Sequence, residues 1–196
     1  MRTRATISHH LDLYAYWLAK RGPRAMPARS DIEAADIPAL LPYLIIAERA
    51  GDQFHYRLVG SAIVRSVGYD ATGVAAGSYL ADPKAAVQAR TIFEDVFMNA
   101  RPVFATGEFI FESGLHLNMS LLTLPLSKDG RIVNMSISTL ATFFSDIAAP
   151  QRGWLAGLPA KVFDVTDVGD TAKLEVLCRE WEQLCAASSY LLSPSP

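Results

Sequence analysis

The side chains able to do chemistry in this 196-residue chain are few and scattered. His116 opens an alternating stretch and invites comparison with a haem ligand. A lone histidine is more often structural, so no haem is expected. His9 and His10 stand together at the start of a helical pattern, where solvated imidazoles are the ordinary outcome. Cys178 and Cys185 are seven residues apart on a helical stretch and share a face. At 1.5 Å of rise per residue their Cα atoms lie about 10 Å apart, too far for a disulfide. They read as buried thiols, and no His or Asp joins them at metal-ligand spacing. Glu108 and Glu112, four apart in an extended stretch, share the face opposite Phe109 and Phe111 and read as exposed carboxylates. The glycines between Gly68 and Gly77 lack the lysine and the spacing of a phosphate loop. No Ser, His and Asp stand in a recognisable nucleophile context. The expectation is therefore no catalytic residue and no metal site.

The elements that would carry any site can be taken from periodicity. Residues 8–21 form an amphipathic helix with Leu11, Tyr14 and Leu18 on one side and Trp17 beside them, ended by Gly22-Pro23. Such a helix needs a surface, either the back of a sheet or a second copy of the chain. Leu11, Tyr14, Trp17 and Leu18 are the expected homodimer interface. Tyr43–Glu48 and Phe54–Val59 read as a hairpin across Gly51-Asp52. In the second strand Phe54, Tyr56 and Leu58 alternate with His55, Arg57 and Val59. Gly60 breaks the strand, and a short helix follows from Ser61, with Ile63, Val64 and Val67 on one side and Gly68 at its stop. Residues 84–100 form a longer helix with Val87, Ile92, Phe93, Val96 and Phe97 on its apolar face. Three long strands, 103–112, 115–126 and 132–144, turn at Ser113-Gly114 and at Lys128-Asp129-Gly130. This order predicts an α+β fold, a five-stranded antiparallel sheet with helices on one face, plus N- and C-terminal amphipathic helices. Residues 154–168 read as irregular, and 170–188 as a helix with Leu174, Leu177, Trp181 and Leu184. The divisions expected are 1–30, helix and linker; 31–147, the sheet domain; and 148–196, an extension ending in a disordered tail.

Alternation places Val103, Ala105, Gly107, Phe109 and Phe111 on the inward face of the third strand, Leu117, Met119 and Leu121 on that of the fourth, and Val133, Met135 and Ile137 on that of the fifth. Ala105 and Gly107 are small enough to leave space under the helices. The pocket expected there uses Phe93, Phe97, Ala105, Gly107, Phe109, Met119 and Met135. A close-packed core and a small-molecule pocket stand as equal alternatives. The other faces carry Asn118, Ser120, Asn134, Ser136 and Ser138. They read as an exposed outer surface or as the seat of a partner's N-terminal helix, and a one-residue slip of register would turn them inward.

With 51% hydrophobic and 19% charged residues the chain can bury a sizeable core. A net charge of -2 argues against nucleic acid as a partner. The longest apolar run, Leu40–Ala47, holds Pro42, so no membrane span is expected. No signal-peptide core is visible, and a cytoplasmic location is the expectation.

The arrangement resembles a PAS domain, in particular the stand-alone PAS proteins common in alphaproteobacteria. The residues that carry the resemblance are Tyr16-Trp17, then Met26-Pro27-Ala28-Arg29-Ser30-Asp31-Ile32, Ile37-Pro38 and Leu40-Leu41-Pro42. It continues through Tyr56-Arg57-Leu58-Val59-Gly60-Ser61, Thr72-Gly73, Leu124-Pro125-Leu126 and Asp129-Gly130, and covers roughly residues 8–145. The resemblance implies a sensory or protein-interaction module without catalysis. Flanking helices would pass on the state of the pocket, with a homodimer, a separate signalling protein and a small apolar ligand as partners. No cofactor is expected. Flavin-adduct photochemistry needs a cysteine in the pocket helices, and both cysteines lie beyond residue 150. The alternative is an enzyme using the sheet cavity for small-molecule chemistry, which would require a carboxylate or histidine inside it.

Overall fold

A computed structural model describes residues 8–78, 83–110, 116–144 and 161–190. Helix α1 (Ser8–Arg21) leads through three short 3-10 turns into β1 (Leu44–Ala50) and β2 (Gln53–Val59). Helices α2 (Ser61–Val67) and α3 (Pro83–Asn99) follow, then β3 (Val103–Ile110), β4 (His116–Ser127), β5 (Val133–Phe144), β6 (Lys161–Asp167) and α4 (Thr171–Tyr190). The expected five-stranded antiparallel sheet is present, and β6 extends it to the order β2-β1-β5-β4-β3-β6.

Strand β6 corrects the expectation of irregular structure for residues 161–167, while residues 154–160 lie outside the described residues. It pairs antiparallel with β3, from Val103 opposite Asp167 to Glu108 opposite Lys161. Without it, β3 would present a row of unpaired backbone groups. The other edge is also covered. The turn after α2 donates the Ala76 amide to Phe54 O and the Gly73 amide to Tyr56 O, and the Tyr56 amide donates to Val74 O.

Two bulges reset the alternation on which the inward faces depend. In β2, Leu58 pairs with Ile46 and Tyr56 with Ala47, which leaves Arg57 as an extra residue. Phe54 and Tyr56 then share the inner face with Val59, while Leu58 is exposed. In β5, Ser127 pairs with Val133 but Leu126 with Met135, so Asn134 is the extra residue. Its side-chain oxygen accepts the Lys128 amide at 2.8 Å and holds the bulge. Counting in twos from Val133 therefore fails. Met135 and Ile137 pair with Leu126 and Leu124 on one face, and Ser136 and Ser138 pair with Pro125 and Thr123 on the other. Ser136 and Ser138 are fully buried, not exposed, and the Ser138 hydroxyl donates to Thr123 Oγ1 at 3.1 Å.

Helices cover both faces of the sheet. Helix α3 lies over β5, β4 and β3 on one side, and α1 and α4 pack against each other and the sheet on the reverse. The reverse face is almost wholly apolar, with Leu122, Leu124, Leu126 and Ile137 fully buried. This is why Tyr14 and Trp17 sit in the chain's own core, at 3% and 1% exposure, instead of waiting for a second copy. Leu11 and Leu18 are half-buried at the helix rim. In α4 the buried stripe is Leu174, Cys178, Trp181 and Cys185, so the face is rotated from the one expected and Leu184 is exposed. Both cysteines are free thiols, and burial, with Glu182 close by, pushes each up to about 12.

Candidate functional site: a cavity and the helix behind it

Between the sheet and α2 lies a cavity of about 70 Å³. The sheet supplies its floor through Ile45, Tyr56, Val59, Met119, Leu121 and Leu140. Helix α2 supplies Ile63 and Val67, the following turn Tyr69 and Ala71, and α3 Ala89, Ile92 and Phe93. Among the described residues, the lining carries no carboxylate, histidine, lysine or cysteine, and its side-chain polar atoms are the hydroxyls of Tyr56 and Tyr69. The space is about half that of a cavity of about 150 Å³ known to bind benzene.

Local chemistry explains how α2 roofs this space. Gly60 brings the chain against the backbone of the 3-10 turn at Leu41–Tyr43, and its amide donates to Leu44 O at 2.8 Å. Gly68 then adopts the left-handed conformation, φ 78°, and its amide closes α2 on Val64 O. Phe93 packs against Phe54 and Tyr56, each at 5.8 Å between ring centroids, and fixes α3 over β2.

The structure brings only part of the expected pocket together. Phe93 and Met119 line the cavity. Phe97 is buried beside it, against Phe54 at 4.8 Å. Ala105 and Gly107 keep the expected face, opposite Leu121 and Met119, but on the β3 side of the cavity and not in its wall. Phe109 pairs with Leu117 through its backbone, and its side chain lies outside the described residues. Met135 faces the reverse side, where the bulge at Asn134 turns it. The small residues that leave room are Ala71 and Ala89, not Ala105 and Gly107. The cavity sits over β1, β5 and β4, so Ile45, Tyr56, Val59 and Leu140 line it in place of residues from β3. The glycine-punctuated stretch after β2 was the available clue, since it pulls α2 over that end of the sheet.

Behind the sheet, α1 is held by polar anchors inside an apolar interface. The Trp17 indole N–H donates to Pro125 O at 2.8 Å. His10 is fully buried, a correction to the solvated histidine expected there. Its Nδ1 lies 2.8 Å from Thr139 Oγ1 and its Nε2 2.9 Å from Ser120 Oγ. The Phe104 ring stands edge-on at 5.7 Å. Burial, reinforced by the nearby charge of His9, lowers the His10 pKa to about 3, so the imidazole is neutral. One ring nitrogen then donates and the other accepts, which matches two hydroxyl partners. His9 itself stacks on Tyr43 at 4.0 Å. At the helix exit, the Tyr16 hydroxyl accepts the Glu33 amide and donates to Asp36, which Lys20 pairs at 2.9 Å.

His116 Cα and Glu108 Cα belong to β4 and β3, but their side chains, like all of Glu112, lie outside the described residues. Among the described residues no three His, Cys, Asp or Glu side chains gather at metal-binding distance. None of their helices is long and apolar enough to cross a membrane.

No curated protein matches the chain. Residues 5–137 match the PAS domain family, and that stretch holds α1, the hairpin, both cavity helices, β3, β4 and the start of β5. On that match, over more than half its length, the chain belongs to the PAS domain family.

Proposed function

We propose that this protein is a non-enzymatic sensor whose cavity takes up a small apolar molecule and whose flanking helices, α1 and α4, present the occupied state to a separate signalling protein. The observation that carries this reading is the cavity itself: an apolar space roofed by a short helix between two glycines, in a chain whose family is one of sensory modules. The lining favours binding over catalysis, because it offers a hydrocarbon surface with two phenols and no general base of ordinary strength. Uptake of benzene, or of anything larger, requires α2 or α3 to move outward. A homodimer, in this reading, uses what α1 leaves outside the core, the rim of Leu11 and Leu18, with the exposed Val176 of α4. Two buried thiols without a disulfide suit a reducing, cytoplasmic setting.

Thermal denaturation in the presence of benzene, indole and n-butanol tests the cavity. A ligand at about 100-fold excess over its Kd stabilises by about 2.7 kcal/mol, which raises Tm by roughly 5–10 °C in a chain of this size. Ala89→Leu, which fills the cavity from α3, should abolish the rise. No rise with any of the three, or the same rise in wild type and Ala89→Leu, rules the cavity out as the binding site.

A further inference from the structure

The cavity and the buried end of α1 are separated by the thickness of one sheet, and the same short strand segments serve both. On β4, Ser120 bonds His10 while its neighbours Met119 and Leu121 line the cavity on the opposite face. On β5, Thr139 bonds His10 while the next residue, Leu140, lines the cavity. Leu121 and Leu140 are paired directly across the two strands, as are Leu122 and Thr139. A body that pushes on Leu121 and Leu140 therefore displaces backbone shared with both hydroxyls. The hydroxyls have no slack, since their partner is a fully buried ring held at 2.8 and 2.9 Å.

We propose that His10 is the residue through which α1 reads the cavity: filling the cavity shifts β4 against β5, changes the hydrogen bonds of the imidazole to Ser120 and Thr139, and thereby changes how firmly α1 is docked. The inference rests on the cavity being a binding site, and it assigns the positioning residue that links that site to the output helix. A neutral imidazole between two hydroxyls suits the task. Either tautomer of the ring can be met by the two hydroxyls, each with the opposite orientation of both, so the site offers two discrete arrangements that a small change at the strands can bias.

Xenon is the probe, being apolar, monatomic and small enough for a cavity of this size. Under increasing xenon pressure, NMR of the full chain should show the Met119 methyl and the His10 ring ¹⁵N resonances shifting along one binding curve, with a severalfold change in amide exchange across α1. In Ser120→Ala the Met119 methyl should still shift along that curve, whereas α1 exchange should no longer respond. A Met119 shift with silent His10 resonances in wild type overturns the inference alone. An unshifted Met119 methyl overturns the binding reading and the inference with it. An α1 response that persists in Ser120→Ala shows that the link runs elsewhere and also overturns it.

Discussion

Gly60→Ala should leave the protein unfolded or so weakened that it is lost on purification. The backbone at Gly60 is ordinary, φ −65° and ψ 146°, so conformation is not the obstacle. Space is: a Cβ added there would lie 2.3 Å from Pro42 O and 2.7 Å from Leu41 O. Both are backbone atoms of the turn that leads into β1, and neither can rotate aside as a side chain would. Relief requires α2 to move off the turn, which opens the cavity roof and breaks the Gly60 amide bond to Leu44 O. The cost should exceed the usual overpacking range, and we expect more than about 3 kcal/mol against a total stability of about 5–15 kcal/mol. Gly73→Ala is the informative comparison. Its φ of 83° strains any other residue, but nothing lies within 4 Å of an added Cβ, so it should cost only about 1–2 kcal/mol. Urea midpoints separate the two. Equal midpoints for both variants would mean that the close approach at Gly60 is not what holds α2 in place.

The second large effect is acid sensitivity set by His10. The folded protein keeps this imidazole neutral until about pH 3, while in the unfolded chain it protonates near its ordinary 6.5. Between those values the unfolded state binds the extra proton, so stability is full above 6.5 and falls as the pH drops. Well below pH 6.5 the slope is about 1.4 kcal/mol per pH unit, and the step from pH 6.5 to 4.5 should remove about 2 kcal/mol by the same relation. His9, lowered by partial burial, adds to this with the same sign. The carboxylates held below their ordinary range, Glu48 between Lys128 and Arg57 among them, contribute stability present above their unfolded values and lost below about pH 4.5. The window from 6.5 to 4.5 thus belongs mainly to the histidines. Urea midpoints at pH 6.5, 5.5 and 4.5 should fall steadily in wild type and much less in His10→Gln. Parallel slopes in the two proteins would show that His10 takes up its proton without leaving its site.

What could be read from the sequence follows the physics of each element. The bounds of α1 and α2 were legible because Gly22-Pro23 and Gly68 are chemical stop signals at the end of a periodic run. The hairpin β1–β2 was legible from alternation and Gly51-Asp52. Strand faces were legible as far as alternation ran undisturbed, which holds for Ala105 and Gly107 on β3 and for Met119 and Leu121 on β4. They were lost where a single extra residue, Asn134 or Arg57, flips the count, and nothing in residue type marks those two positions. The role of His10 was hidden for a related reason. Solvent is the ordinary place for a histidine at a helix start, and only the meeting of α1 with Ser120 and Thr139, 110 and 129 residues away, makes it a buried one. Strand β6 was missed because its pairing partner, β3, lies more than fifty residues earlier in the chain. The cavity was expected beside small residues on a strand. The residues that create the space are instead alanines on the roof, Ala71 and Ala89, and their effect depends on where the roof rests.

Native mass spectrometry of the purified full chain tests most directly whether this PAS domain holds a small apolar molecule between its sheet and α2. The folded mass should exceed that of the polypeptide, with the excess released on denaturation and missing from Ala89→Leu. A folded mass equal to the bare chain or to its simple multiple, even after incubation with the apolar compounds that fit the cavity, would contradict it and leave the space as a packing gap in an ordinary core.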